Sequence, residues 1–304
     1  MAPLETKLLS VTPEGRELVQ LSNGVISLQE KDNARIYSMP QLVEFPVKTR
    51  ADWVAMRERF SYHPERYPRG WDRLVRRYRQ GGNALRLGAG AGYVPGFYGH
   101  LRGLMGTERL SYTYYDDPQL IKDINAWTAA MLEETLERCF SEVEVDMVVI
   151  GEDMAGRTGS LISPAAFREF MMPYYQRFTA FCRDHCVASI WVDSDGDIRE
   201  LIPLWIESGM TGVLPCDNVT GIIDVVALGE AFPTLLLAGG IDKRVVEKGH
   251  TFAEVDAELE RKVPPLLRRG GYFPGPDHAW TPQTSLANLL HYRDRLSELC
   301  RANA

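Results

Sequence analysis

Hydrophobic residues in this chain occur in short continuous runs that are separated by longer amphipathic stretches. The short runs end at Leu87, Ile150, Val192, Pro215, Ala238 and Pro274. Helical periodicity fills most of the intervals, over residues 118–141, 164–186, 198–208, 251–269 and 286–301. A buried run followed by an amphipathic helix, repeated several times, predicts a parallel β-sheet with helices packed against it.

The first part of the chain has a different pattern. Residues 16–28 alternate between polar and apolar positions and are interrupted by Ser22-Asn23-Gly24, which predicts a β-hairpin. Amphipathic helices with many arginines on the solvent side are predicted over residues 50–60 and 70–80. No repeat or low-complexity linker interrupts the chain, so we expect a single domain over residues 1–304 with an N-terminal hairpin region over residues 1–36.

Composition narrows the class of protein. The chain has 304 residues, of which 45% are hydrophobic, and it can bury a full core. The net charge is −7, and the basic residues are scattered in the sequence, which argues against a nucleic-acid partner. No apolar run is long enough to span a membrane, and the five cysteines form no CxxC pair. We therefore expect a cytoplasmic protein without a membrane segment.

Acidic residues follow several of the predicted strands directly. Since the carboxyl ends of parallel strands meet at one edge of a sheet, where α/β enzymes hold their active sites, these residues are expected to converge in one pocket. The residues chosen on this basis are Glu152, Asp153, Asp193, Asp195, Asp242 and His278.

Two carboxylates and an imidazole from this set could bind a divalent metal ion. Asp193 and Asp195 are two positions apart after one strand, and His278 follows another. Such a set suits Mg²⁺ or Mn²⁺, or a zinc ion of unusual reactivity. Simpler interpretations stay open: the two aspartates could close a turn, and His278 could be a hydrogen-bonded structural residue. Glu152 and Asp153 could likewise be capping residues or partners of Arg157.

Five motifs, in the same order, resemble the uroporphyrinogen decarboxylase superfamily. The resemblance extends over roughly residues 37–301. The motifs are Gly151-Glu152-Asp153-Met154-Ala155-Gly156, residues 161–170, the Asp193 turn with Leu201-Ile202-Pro203, Gly239-Gly240-Ile241-Asp242, and residues 271–278. The resemblance implies an α/β fold of the (β/α)8 TIM-barrel type with its pocket at the carboxyl ends of the strands. It also implies that the first strand and helix are missing or supplied by a partner, so a homodimer or a heteromer is expected.

The superfamily includes both decarboxylases and methyltransferases, and this sequence departs from both. Where the zinc-dependent methyltransferases have a His-x-Cys-Gly motif and a later Cys, this chain has Asp193, Asp195 and His278. The arginine-rich segment of the decarboxylases is not found, although His278 aligns with a histidine of their pocket. The many acidic residues also disfavour a substrate with several carboxylates.

The favoured hypothesis is methyl transfer from a small methylated substrate to a corrinoid protein or a thiol, with assistance from a divalent metal (Zn, Mg or Mn). Two alternatives remain: a decarboxylase of a porphyrinogen-like or smaller acid, and a non-catalytic barrel subunit. Asp153, Asp193 and His278 are the expected catalytic residues, and Asp193, Asp195 and His278 the expected metal ligands. The residues expected to bind substrate, partly through aromatic contact with a cation, are Glu152, Arg157, Trp191, Asp242 and Tyr272.

Overall fold

The computed structural model describes residues 4–31, 39–88, 93–217, 221 and 223–303. These residues form two compact units, each assembled from separate parts of the chain. The first comprises Met1–Leu85, Pro95–Val145 and Arg168–Cys186, and the second Arg86–Val94, Asp146–Phe167 and Val187–Ala304. The division marks no single boundary along the sequence, so the expected single domain over residues 1–304 stays a prediction. Residues 32–36 of the predicted hairpin region lie outside the described residues.

The first unit begins with a four-stranded antiparallel sheet. Its strands lie side by side in the order of the sequence, as β1 (Lys7–Val11), β2 (Glu17–Gln20), β3 (Ile26–Gln29) and β4 (Gln41–Glu44). The turn between β2 and β3 contains Gly24, whose φ of 90° is unfavourable for residues with a side chain. The Asn23 side chain accepts a hydrogen bond from the Val25 amide at 3.1 Å. The predicted hairpin is therefore confirmed, and asparagine and glycine stabilise its turn.

Helices make up the rest of the first unit. They are α1 (Arg50–Phe60), α2 (Trp71–Gln80), α3 (Gly99–Met105), α4 (Thr107–Asp116), α5 (Pro118–Glu142), α7 (Met172–Asp184) and the end of α6 (Pro164–Phe170). Helix α1 begins at a capping box between Thr49 and Asp52, and α5 begins with Asp117 capping the Leu120 amide. The helical pattern over residues 164–186 is interrupted at Met171, because Pro173 has no amide hydrogen and its ring is incompatible with the preceding helical turn.

The second unit is built on a parallel sheet. The strands of this unit are β5 (Arg86–Leu87), β6 (Val94–Pro95), β7 (Met147–Gly151), β8 (Ala155–Gly156), β9 (Gly159–Ser160), β10 (Ser189–Asp193), β11 (Gly212–Leu214), β12 (Leu236–Ile241) and β13 (Tyr272–Pro276). Six of them lie in the order β13-β12-β11-β10-β7-β5 in the described chain, each parallel to its neighbours. Each of these six thus pairs with the parallel strand that precedes it in the sheet, as in a (β/α)8 barrel, and the predicted TIM-barrel-like fold class is confirmed.

Four further helices, α8 (Ile202–Glu207), α9 (Val225–Ala231), α10 (Phe252–Arg269) and α11 (Leu286–Ala302), belong to this unit. Helix α8 starts later than the pattern over residues 198–208 predicts, with Pro203 in its first turn. Helices α10 and α11 pack together through Val255, Leu259 and Tyr292. No helix in the described parts of the chain is both long and apolar enough to cross a membrane.

Trp191, in the middle of β10, is fully buried and restricts the strand beside it. A Cβ at Gly212 of β11 would lie 2.5 Å from the Trp191 ring. We expect Gly212→Ala to lower the free energy of unfolding by about 1–3 kcal/mol, because a buried ring has little room to move. Urea unfolding measures this loss. Gly275 of β13 is the matched control, since a Cβ there meets no described atom within 4 Å. Equal losses in both variants would contradict the packing argument.

A second prediction concerns His100, on α3 of the first unit. Its ring contacts the rings of Trp53 and Phe60 edge to face, and its Nε2 atom is buried without a hydrogen-bond partner among the described residues. Burial lowers the pKa of His100 to about 4 from its ordinary value of 6.5. The unfolded chain therefore takes up a proton at a higher pH than the folded one, and stability is lost as the pH falls from about 6.5 towards 4.

We expect His100 to destabilise the protein by about 2 kcal/mol more at pH 5 than at pH 7.5. The measurement is the difference in free energy of unfolding between the wild type and His100→Phe at these two pH values. Other titrating groups are common to both proteins, so their contributions cancel. A difference that does not change with pH would show that His100 is protonated in the folded protein.

Candidate functional site

The candidate site lies at the carboxyl edge of the parallel sheet in the second unit. Asp193, the last residue of β10, is in register with Gly151 of β7 and with Leu214 of β11. Hydrogen bonds continue across the edge: the Glu152 amide donates to the Asp193 carbonyl at 2.9 Å, and the Ser194 amide donates to the Leu214 carbonyl at 3.0 Å. These bonds fix the start of each loop, so the side chains that follow neighbouring strands lie next to one another.

Three carboxylates come together at this edge. Asp153, Asp193 and Asp195 each have an oxygen atom within 4.8 Å of the other two. Asp153 has a φ of 46°, in the left-handed region that residues with a side chain rarely adopt. Strain of this kind is frequent at active sites, where the surrounding structure holds a side chain in one orientation. We call these three residues the aspartate group.

The environment of Asp193 favours its protonated form. Burial is the main cause that raises the pKa of Asp193 to about 6, and the negative charges of Asp195 and Asp153 act in the same direction. A hydrogen bond from Tyr93 and the positive charge of His278 act in the opposite direction. Asp193 can therefore exchange a proton close to neutral pH, as a general acid or base requires.

Tyr93 is a member of the site that the sequence pattern did not indicate. Its hydroxyl donates a hydrogen bond to the Asp193 carboxylate, and burial, followed by this bond, raises the pKa of Tyr93 to about 12. The Tyr93 side chain lies directly over Gly151, where a Cβ would be 2.9 Å from the Cβ of Tyr93. The contact depends on Gly151 having no side chain.

His278 connects the aspartate group to the buried carboxylate of Asp277. Its Nε2 lies 3.2 Å from Asp195 Oδ1, and its Nδ1 lies 3.9 Å from Asp277 Oδ1. These two partners, with Asp195 contributing more, raise the pKa of His278 to about 10. The imidazole is therefore a cation at neutral pH, held between two aspartates.

A second set of ligand atoms within 4.8 Å of one another comprises Asp217, Asp277 and His278. Asp217 and Asp277 are both buried, and they accept hydrogen bonds from the Gly196 amide (3.1 Å) and the Lys243 amide (3.2 Å), respectively. Asp217 was not predicted, although it follows β11 as Asp153 follows β7. The same sequence signal could have found it.

A family model described as uroporphyrinogen decarboxylase (URO-D) matches residues 101–299, about two thirds of the chain. The chain belongs to the URO-D family. The match contains all five motifs on which the sequence resemblance depends, and it begins later than residue 37, where the resemblance was expected to start. No curated protein matches the chain.

The predicted metal ligands of this URO-D chain fall into two separate sets. Asp193 and Asp195 belong to the aspartate group together with Asp153, whereas His278 belongs to the set with Asp217 and Asp277. His278 does contact Asp195, but as the cation of an ion pair. Binding of a metal ion by His278 would therefore require the loss of one of its two ring protons, and its role as a ligand stays a prediction.

Two predicted substrate-binding aromatics are buried in the structure. Trp191 is fully buried, and its Nε1 donates to Ser189 Oγ at 2.7 Å. Tyr272 is buried as well, and its hydroxyl donates to the Gly239 carbonyl at 2.8 Å. Both polar groups are thus engaged within the protein, and the role of the two rings in substrate binding stays a prediction. Both are strand residues whose rings face the packed interior of the unit.

Three further predicted residues differ in exposure. Glu152 is only 1% exposed, so its carboxylate is buried at the edge of the sheet. Arg157 is exposed in the turn between β8 and β9. Asp242 caps the short 3₁₀ turn over Lys243–Val246 by accepting from the Arg244 amide at 2.9 Å, and it also binds the Arg244 guanidinium. These bonds account for the position of the Asp242 side chain, and its contact with substrate stays a prediction.

Removal of the Tyr93 hydroxyl should change the protonation of Asp193. The hydrogen bond from Tyr93 stabilises the charged carboxylate, so we expect Tyr93→Phe to raise the pKa of Asp193 above about 6. Carboxyl-carbon NMR of aspartate-labelled protein measures this pKa, and Asp193→Asn identifies the signal. Tyr115→Phe is the matched control, because Tyr115 is 87% exposed. An unchanged or lower pKa in Tyr93→Phe would show that the hydroxyl does not bind the carboxylate.

Proposed function

We propose that this URO-D family chain is an enzyme that transfers a methyl group from a small neutral or cationic substrate to a corrinoid protein or a thiol. The observation that supports this proposal is the aspartate group, whose three carboxylates lie within 4.8 Å of one another. A site of this charge attracts a cation and tolerates a neutral methoxy compound. It repels a substrate with several carboxylates.

The cations near the site do not reverse this charge. His278 is paired with Asp195, and Arg244 is paired with Asp242. A carboxylate of the substrate at about 4 Å from an aspartate of the group is disfavoured by on the order of 1 kcal/mol even at the dielectric constant of water, and by more where water is excluded. Several such contacts would remove most of the affinity for a porphyrinogen-like acid.

Asp193 can supply the proton that a methoxy substrate needs. When the methyl carbon passes to the acceptor, the bond between carbon and oxygen breaks and its electron pair stays on the leaving oxygen. Protonation of that oxygen by Asp193 avoids the release of a free alkoxide. The resulting carboxylate keeps the hydrogen bond from Tyr93, and His278 remains close enough to attract it. A thiol acceptor must lose its own proton before it attacks, because the thiolate is the nucleophile.

The donor set of the aspartate group fits a hard divalent ion. Three carboxylate oxygens suit Mg²⁺ or Mn²⁺ better than a thiolate-bound zinc ion, and no cysteine belongs to either set of candidate ligands among the described residues. Asp153, Asp193 and Asp195 would hold the ion in place of the trio of Asp193, Asp195 and His278 expected from the sequence. Asp193 would then be ionised, so the ion would take the place of its proton at the leaving oxygen. Such an ion would neutralise the charge that develops on a leaving oxygen.

The alternative that retains one specific observation in its favour is decarboxylation of a smaller acid. His278 is cationic at neutral pH and could bind a single carboxylate.

One assay distinguishes methyl transfer from decarboxylation. Purified protein is incubated with a methoxyaromatic, a methylamine and a quaternary methylammonium compound, each with free reduced corrinoid or a small thiol, and in parallel with a porphyrinogen. Methyl transfer and carbon dioxide release are both measured, with and without added Mn²⁺.

We expect methyl transfer from at least one donor and no carbon dioxide release. Asp193→Asn should lower the transfer rate by about 10²–10⁴-fold, and the wild-type rate should fall as the pH rises through about 6, because Asp193 then loses its proton. Asp197→Asn is the matched control, since Asp197 lies in the same turn but is bound to Arg199. Carbon dioxide release without methyl transfer would favour the decarboxylase, and an absence of both reactions the non-catalytic subunit.

A further inference from the structure

Helix α2 of the first unit carries a stripe of arginines on one side. Arg73, Arg76, Arg77 and Gln80 are spaced by three and four residues, which places them on one face of the helix. All four are exposed, whereas Val75 on the opposite side is buried. The scattered arginines of the sequence thus become a continuous surface once the helix forms. We call this surface the arginine stripe.

The arginine stripe lines a surface cleft of about 380 Å³, together with Gly81. Gly81 follows the last residue of the helix, so the cleft is open at its carboxyl end. A guanidinium group provides five donors in a planar arrangement that matches a carboxylate with two parallel hydrogen bonds. Three guanidinium groups along one cleft therefore suit a ligand with several carboxylates on one face.

The three arginines have no acidic partner among the residues that the structure describes. A neighbouring arginine does: Arg138 binds the carboxylates of Glu142 and Asp72. Arg79 donates to the backbone carbonyl of Glu142 at 2.9 Å. Like charges three and four residues apart on a helix repel one another. The stripe therefore weakens the free helix, and an acidic ligand would relieve this repulsion.

The length of the stripe and the charge of the chain indicate what kind of ligand it fits. The eight residues of helix from Arg73 to Gln80 span about 10 Å, close to the screening length of about 8 Å at physiological salt. A nucleic acid or an anionic membrane extends far beyond this distance. Its negative charges would also lie near the rest of the chain, which has a net charge of −7. The acidic face of a protein helix, with two turns of Asp or Glu, has the matching length.

We propose that the arginine stripe of α2 is a docking surface for the acidic helical face of a partner protein. The stripe belongs to the first unit and the aspartate group to the second, so this surface does not depend on the reaction proposed above. Arg73, Arg76 and Arg77 bind the carboxylates of the partner helix, and Gln80 donates to its last turn.

Binding of a defined acidic peptide to the full-length protein tests the proposal. The probe is a fluorescein-labelled, 16-residue alanine-based helix with glutamates spaced three and four residues apart. A peptide with glutamines at those positions is the uncharged control. Fluorescence anisotropy is measured at low and at physiological salt. A 20-base-pair DNA duplex and vesicles with one third phosphatidylserine are measured in the same way.

The key variant is Arg73→Gln/Arg76→Gln/Arg77→Gln. The matched control is Arg268→Gln/Arg293→Gln/Arg301→Gln, which removes three exposed arginines from α10 and α11 and changes the net charge equally. Thermal unfolding is measured for both. Because like-charge repulsion is removed, the stripe variant should unfold at the same or a higher temperature than the wild type at low salt.

We expect the glutamate peptide to bind the wild type and the control variant, and the stripe variant to bind it about tenfold or more weakly. Binding should weaken as salt rises, and the glutamine peptide should not bind. Equal affinity of the stripe variant and the wild type would overturn the proposal. So would tighter binding of the duplex or the vesicles than of the peptide, which would assign the surface to nucleic acid or membrane, and so would an absence of peptide binding at low salt.

Discussion

The register of three parallel strands determines which side chains meet at the candidate site. Because β10 aligns Asp193 with Gly151 on one side and Leu214 on the other, the loops that leave these strands start level with each other. Two side chains that are forty residues apart in the sequence, Asp153 and Asp193, then become neighbours. A shift of one residue in this register would turn Asp193 to the opposite face of the sheet and dissolve the aspartate group.

The same register creates an electrostatic conflict that the site resolves only in part. Carboxylates brought within 4.8 Å of one another cannot all keep their charge in a poorly solvated place. Protonation of Asp193, the hydrogen bond from Tyr93 and the cation of His278 each reduce the repulsion, and a divalent ion would do so more completely. His278 is paired with both Asp195 and Asp277, so its charge holds the loop after β10 and the loop after β13 together.

The sequence predicted the features that depend on local patterns. The repeated runs of apolar residues indicated a parallel sheet, and Ser22-Asn23-Gly24 indicated the hairpin that the structure contains. Aspartates after strands pointed to the carboxyl edge, and three of them meet there. Long-range relations could not be predicted in this way. Tyr93 reaches Asp193 across one hundred positions, and no local pattern marks it. Trp191 and Tyr272 were assigned to the pocket because they are near it in sequence, whereas their burial depends on packing partners that the local pattern does not show.

The contact between Tyr93 and Gly151 has a consequence for how this site can vary. Any side chain at position 151 would occupy the space of the tyrosine, and a smaller residue at position 93 would leave Asp193 without its donor. A substitution at either position alone would therefore disturb the hydrogen bond from Tyr93 to Asp193. We therefore expect the two positions to change together in evolution. A related chain that replaces one of them must also replace the other, and it must then stabilise a charged Asp193 in a different way.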